Sequence, residues 1–148
     1  MDYRKEINEL YENNNTDRSV ILLRGVSGAG KSTVAKLFAE PKVVCTADDY
    51  FEKGGEYDFD PSKLGQAHTE CQNKFECALQ DPNVKNIIVA NTNVKPSDYK
   101  YYVDVAAKHG VKVISLVIEN RHGGKNVHGV PDFVLDRQRN SLQNDLSL

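Results

Sequence analysis

Gly25-Val26-Ser27-Gly28-Ala29-Gly30-Lys31-Ser32-Thr33 is the stretch on which the reading of this chain turns. It fits G-x-x-x-x-G-K-[ST], and its surroundings are those the pattern requires. Residues 19–23, Ser-Val-Ile-Leu-Leu, form a continuous β-branched and aliphatic run of strand length ahead of it. Residues 32–39 read as a helix behind it, ending before Pro41. Glycines at this spacing let the backbone bend until successive N–H groups face inward, where the positive end of the following helix joins them. The loop is thus a cradle for phosphates, with Gly25, Ser27, Gly28, Ala29, Gly30, Lys31, Ser32 and Thr33 as its nucleotide-binding residues. Lys31 is expected to reach the β- and γ-phosphates of ATP, and the Ser32 hydroxyl to be a Mg²⁺ ligand.

Outward from this loop, strands and helices alternate. Residues 42–46 (Lys-Val-Val-Cys-Thr), 86–90 (Asn-Ile-Ile-Val-Ala) and 111–118 (Val-Lys-Val-Ile-Ser-Leu-Val-Ile) read as three further strands. Between the second and third, Pro61 opens a helix running to about Gln80, with Leu64, Ala67, Cys71, Phe75, Ala78 and Leu79 on one face. Pro96 opens another, with Tyr99, Tyr102, Val103 and Ala106 inward and Gly110 as its stop. Ile7, Leu10 and Tyr11 give the N-terminal segment a helical spacing. Pro131 begins a last helix, followed by a polar tail after Asn140 that is expected to fray. Such alternation predicts an α/β fold of the P-loop NTPase type: a three-layer sandwich around a parallel sheet of about four strands. At 148 residues, without repeats or a linker, residues 1–148 are expected to form a single domain, with residues 119–129 as a short glycine-containing lid.

Composition narrows the setting without naming a substrate. No apolar run approaches the ~20 residues of a membrane span, and the charged N-terminus lacks a signal-peptide core. Three cysteines, none at C-x-x-C spacing, favour reduced thiols and a cytoplasmic location. Cys71, on a helix face with Ala67 and Ala78, reads as a small core residue and not as a metal ligand. A formal net charge of −2 gives no general support for nucleic-acid binding. A local positive cleft is compatible with it, since Arg24, Lys31, Arg121 and Lys125 gather at the phosphate-handling end.

Past the second strand stands Ala47-Asp48-Asp49-Tyr50-Phe51. Strands of a parallel sheet bring their carboxyl ends together at the ligand crevice, so Asp48 should face the γ-phosphate. A carboxylate there accepts a proton from an attacking hydroxyl, or alternatively caps a turn; position alone supports both. Asn91-Thr92-Asn93 ends the third strand at the same crevice, again as a substrate contact or a simple turn. Of the loop aromatics Tyr50, Tyr57 and Phe59, one could stack on a base, while Phe59 is expected to pack on the following helix. His68, His109 and His122 read as exposed.

Taken in order, the P-loop, Asp48-Asp49-Tyr50-Phe51, Gly55-Glu56-Tyr57-Asp58-Phe59-Asp60-Pro61, Ala67-His68, Cys71, Asn91-Thr92-Asn93 and His128-Gly129-Val130-Pro131 resemble the kinase modules of the polynucleotide 5′-hydroxyl kinase family. The likeness runs from about Val20 to Arg139. It implies transfer of the γ-phosphate of ATP to the 5′-OH end of DNA or RNA, with Asp48 as general base and Asp49, Tyr50, Asn91 and Asn93 toward the acceptor. It also allows a homo-oligomer. Two positions depart from phage members of that family: Asn91 stands in place of an aspartate, and Phe51 in place of an arginine. The phosphatase domain that follows in the phage enzyme has no counterpart here, and 3′-end repair is not expected. Where related sequences carry an arginine before the His-Gly-Val-Pro box, this chain has Lys125; Arg121 is therefore expected as the main lid cation, with Lys125 assisting. Two other functions fit the P-loop itself: a kinase of a small hydroxyl compound, and an ATP-binding module without acceptor chemistry.

Overall fold

The computed structural model describes residues 2–14, 18–124 and 128–146. The elements follow in the order α1 (Tyr3–Asn14), β1 (Ser19–Arg24), α2 (Lys31–Ala35), β2 (Lys42–Cys45), α3 (Leu64–Gln80), β3 (Asn86–Val89), α4 (Pro96–Lys108), β4 (Lys112–Val117) and α5 (Asp132–Asp145). The four strands make one parallel sheet in the order β2-β3-β1-β4. Every residue of β1 is buried, as its uninterrupted aliphatic run predicts for a strand covered on both faces.

Two apolar layers flank the sheet. On one side Val20, Leu22, Ile87 and Val89 pack with Cys71 and Phe75 of α3 and with Tyr102 and Ala106 of α4. On the other, Ile21, Leu23 and Ile88 pack with Ala35 of α2. Cys71 is a core residue, as its helix face indicated, and Val105 joins Tyr102 and Ala106 on the inward face of α4. Leu64 differs from expectation. It stands at the first turn of α3, beyond the reach of the core, and is exposed.

Helix α2 is shorter than the sequence suggests. The chain leaves the helix after Ala35, and the Lys42 ammonium donates to the carbonyls of Ala35, Lys36 and Phe38 at 3.3, 2.8 and 3.0 Å. Carbonyls freed by the early stop are thereby satisfied from β2. At the other end of the chain the tail after Asn140 continues as helix to Asp145 instead of fraying. Leu142 is buried, and Asp145 forms an ion pair with Arg24. Strand β4 is one of the two edge strands, with Ile114 and Val117 exposed. No helix among the described residues is long and apolar enough to cross a membrane.

Candidate active site

The strand order places β1 between β3 and β4, so the P-loop leaves the sheet at its centre. Its geometry is enforced by contacts on both sides. Gly28 and Gly30 take φ of 81° and 106°, a region that only glycine enters without strain. A Cβ at Gly25 would stand 2.8 Å from the Ile118 carbonyl, so the end of β4 can approach only because no side chain is present. Gly25 N–H donates to the Thr92 carbonyl at 3.0 Å, which ties the loop to the segment after β3.

Lys31 is 9% exposed, and its ammonium donates to the carbonyls of Gly25 and Val26, both at 2.9 Å. Burial pulls its pKa down to about 8, against the opposing effect of the Asp48 carboxylate. Ser32 and Thr33 stand exposed in the first turn of α2. Ser27 offers its N–H and its hydroxyl to the side-chain oxygen of Gln138 on α5, at 2.9 and 3.2 Å. His122, expected as a plain exposed residue, reaches the loop from the segment that follows β4. Its Nδ1 accepts the Gly124 N–H at 2.9 Å, which leaves Nε2 to donate to the Ala29 carbonyl at 2.9 Å.

The aspartate pair sits on a 3₁₀ turn, Ala47–Tyr50, directly beyond β2. Thr46 caps this turn, its hydroxyl accepting from Asp48 N–H at 3.2 Å, so the cap does not engage the Asp48 carboxylate. Asp48, Ser32 and His128 line one cleft of about 260 Å³. The Tyr57 hydroxyl lies 3.5 Å from Asp48 Oδ1, and His128 Nε2 lies 4.0 Å from Oδ2. The Tyr57 and His128 rings are 4.0 Å apart between centroids. Burial and the neighbouring Asp48 push the Tyr57 phenol up to about 12, so it stays protonated and remains a donor. Asp49 also borders this cleft and pairs with Lys74 at 3.5 Å.

Several expected contacts fall elsewhere. Asn93 is 0% exposed; its side-chain amide nitrogen donates to the Leu23 carbonyl at 2.8 Å, and its backbone carbonyl accepts from Arg24 Nε at 2.8 Å. An enclosed side chain cannot touch an acceptor, so Asn93 becomes a strut behind the P-loop. Asn91 accepts the Ala47 N–H at 2.9 Å and thereby holds the aspartate turn to β3. Tyr50 donates to Gln66 at 2.7 Å and packs on the small cluster around Phe51 and Ala67. Phe59, expected against α3, is instead exposed and stacks parallel to Tyr57. Arg121 points into solvent, its side chain 85% exposed and paired with Glu119. Lys125 lies outside the described residues.

His122, His128 and Gln138 are residues that sequence reasoning did not assign to the site, and Tyr57, read as an aromatic for stacking, lies against Asp48 instead. His128 carried a signal, its place in the His-Gly-Val-Pro box. Gln138 carried none.

The family model for an AAA domain matches residues 20–123. The human NEDD4-binding protein 2 is 32% identical over 139 residues, covering 87% of this chain. This chain spans only 8% of that relative's length. Among solved structures, a "Pnkp1/Rnl/Hen1 RNA repair complex" chain is similar over 87% of this chain and 45% of its own, at 18% identity and a TM-score of 0.65. A "Pnkp1/Rnl/Hen1 complex" chain is similar over 82% of this chain and 39% of its own, at 19% identity and a TM-score of 0.57. These likenesses support the fold, and the family model extends from β1 through the P-loop and the aspartate turn to the segment after β4. This chain therefore belongs to the AAA domain family and is a kinase-like P-loop domain.

Proposed function

We propose that this domain transfers the γ-phosphate of ATP to the 5′-OH end of a DNA or RNA strand. The observation that carries the reading is the shared cleft of Ser32 and Asp48, which sets a phosphate-binding helix start opposite a carboxylate. The residues present fit the nucleotide: the loop excludes a side chain at Gly25, and Ser32 offers an oxygen to the cleft. Among the described residues no group of three His, Cys, Asp or Glu could hold a metal ion. Mg²⁺ needs few protein oxygens when phosphates and water complete its shell, so Ser32 suffices as the protein ligand. ATP with Mg²⁺ would supply the phosphoryl group and offset part of its charge.

The protein's own part is positioning and proton transfer. Backbone N–H groups of residues 27–33 and the Lys31 ammonium hold the phosphates. Asp48 accepts the proton of the attacking hydroxyl, with Tyr57 and His128 fixing its orientation. Arg121, drawn in from Glu119, neutralises charge on the transferring group from the lid, and Lys125 assists. Asp49, Tyr50 and Asn91 shape the acceptor side.

The test is an end-labelling assay with γ-labelled ATP, Mg²⁺, a short 5′-OH oligonucleotide and the matching nucleoside. Label is expected on the oligonucleotide, far faster than on the nucleoside. Equal rates on both would make this a small-molecule kinase, and nucleotide binding without transfer would make it a binding module.

A further inference from the structure

The 3₁₀ turn that carries Asp48 has a second cavity on its far side. It holds about 340 Å³ between the turn and α3 and is bounded in part by Thr46 and Asp49, which also bound the catalytic cleft. That volume is at the small end of the range of about 300–1,000 Å³ typical of small-molecule sites. Ala67 and Cys71 form its apolar floor and Tyr50 stands at its side.

The lining is fixed in place. Cys71 Sγ receives the Tyr102 hydroxyl at 3.2 Å and the Asn91 amide at 3.6 Å, so the thiol is held among donors beneath the cavity. Burial pushes that thiol's pKa up, which makes it an inert surface and not a nucleophile. The Tyr50 ring is anchored through its hydroxyl on Gln66 at 2.7 Å. Above the floor the rim is polar: Asp49, Glu70, Asn73 and Lys74. Two carboxylates against one lysine, itself paired to Asp49 at 3.5 Å, disfavour an anion such as a phosphate. A flat neutral heterocycle with donors and acceptors around its edge suits an apolar floor, an aromatic side and such a rim.

We propose that this side pocket receives the terminal nucleobase of the acceptor strand while the 5′-hydroxyl of the same nucleotide lies at Asp48. The assignment rests on the proposed 5′-OH kinase activity. It gives the aspartate turn two faces, Asp48 toward the reacting hydroxyl and Asp49 toward the base. The two adjacent carboxylates thus serve different parts of one nucleotide.

The experiment uses the full chain with two 5′-OH oligonucleotides that differ only at the first residue, one with a normal base and one with an abasic sugar. Loss of base stacking at the abasic end should lower kcat/KM about tenfold or more. The KM for ATP should not change. Asn73→Trp and Glu70→Trp, both at exposed helix positions, place bulk over the cavity. Each should reduce the rate on the base-bearing strand to that on the abasic strand, with the abasic rate unchanged. Equal rates on the two strands with the unmodified protein overturn the pocket assignment and leave the kinase reading standing. So does discrimination that survives both tryptophan variants, because the base is then read elsewhere. No transfer to any oligonucleotide overturns the kinase reading, and the nucleobase assignment with it.

Discussion

His122 and Ala29 are joined by a 2.9 Å hydrogen bond from the imidazole Nε2 to the loop carbonyl, and this bond connects the segment after β4 to the P-loop. The contact holds the Ala29 carbonyl, and with it this part of the loop, in place. Its loss in His122→Ala should raise the KM for ATP about three- to tenfold, the effect of about one hydrogen bond. Turnover at saturating ATP should change little. A fall in kcat at constant KM would instead give His122 a part in the chemical step.

Lys31 gives a pH dependence with a definite sign. Its free pKa of about 8 lies well below the usual lysine range because burial disfavours the charge. Bound phosphates favour the charged form, so nucleotide binding should take up a proton once the pH exceeds about 8. ATP affinity is expected to be level below that pH and to weaken above it. Calorimetry in buffers of different ionisation enthalpy reads the proton directly. Lys31→Ala should abolish transfer and flatten the profile; an unchanged profile would remove Lys31 from the phosphates.

The general-base assignment separates the two aspartates. Asp48→Asn keeps the shape and removes proton acceptance, so kcat should fall about 10²-fold or more with ATP binding retained. Asp49→Asn, which loosens the contact to Lys74 at the edge of the cleft, should be milder. The reverse ranking would transfer the role of base to Asp49.

Lid function is decided by comparing Arg121→Ala with Lys125→Ala at saturating ATP. Arg121→Ala should cost the greater part of kcat, and Glu119→Gln, which releases the arginine from its partner, should not. Intact turnover in Arg121→Ala with its loss in Lys125→Ala would identify Lys125 as the lid cation.

Arg24 and Asp145 link the P-loop strand to the far end of α5, and the Tyr99 hydroxyl donates to the same carboxylate at 2.7 Å. Asp145→Ala leaves the buried Arg24 without its counter-charge and should cost about 3 kcal/mol in denaturant unfolding. Tyr99, and then Arg24, hold the Asp145 carboxyl below the usual carboxylate range. This stabilisation is therefore present at neutral pH and is lost as the pH falls through that lowered value. Acid unfolding that is identical with and without Asp145 would contradict it.

Parts of this molecule were legible because they make local demands. The P-loop could be read from its glycines, since only they enter the backbone conformations it needs, and β1 from a run too apolar to face water. The strand alternation gave a parallel sheet without an alignment. Asn93 was not legible: an amide at a strand end has the same composition whether it turns to solvent or inward to backbone carbonyls. Gln138 lies 111 residues from Ser27 and His122 lies 93 from Ala29, separations over which spacing rules say nothing. Phe59 was misjudged because Phe51 and Ala67, with Tyr50 and Tyr57 against them, already fill the space beside α3.

The Gln138 contact makes the resting P-loop resemble a receptor that carries its own weak ligand. The amide oxygen occupies the Ser27 N–H, and under the proposed function, in which a phosphate takes that donor, a nucleotide would enter by exchange and not by simple addition. The apparent affinity is then the intrinsic affinity scaled by the fraction of molecules in which the glutamine has swung away. Because Gln138 is carried on α5, the helix anchored through Asp145 to Arg24, nucleotide occupancy would under that function be coupled to the position of this helix.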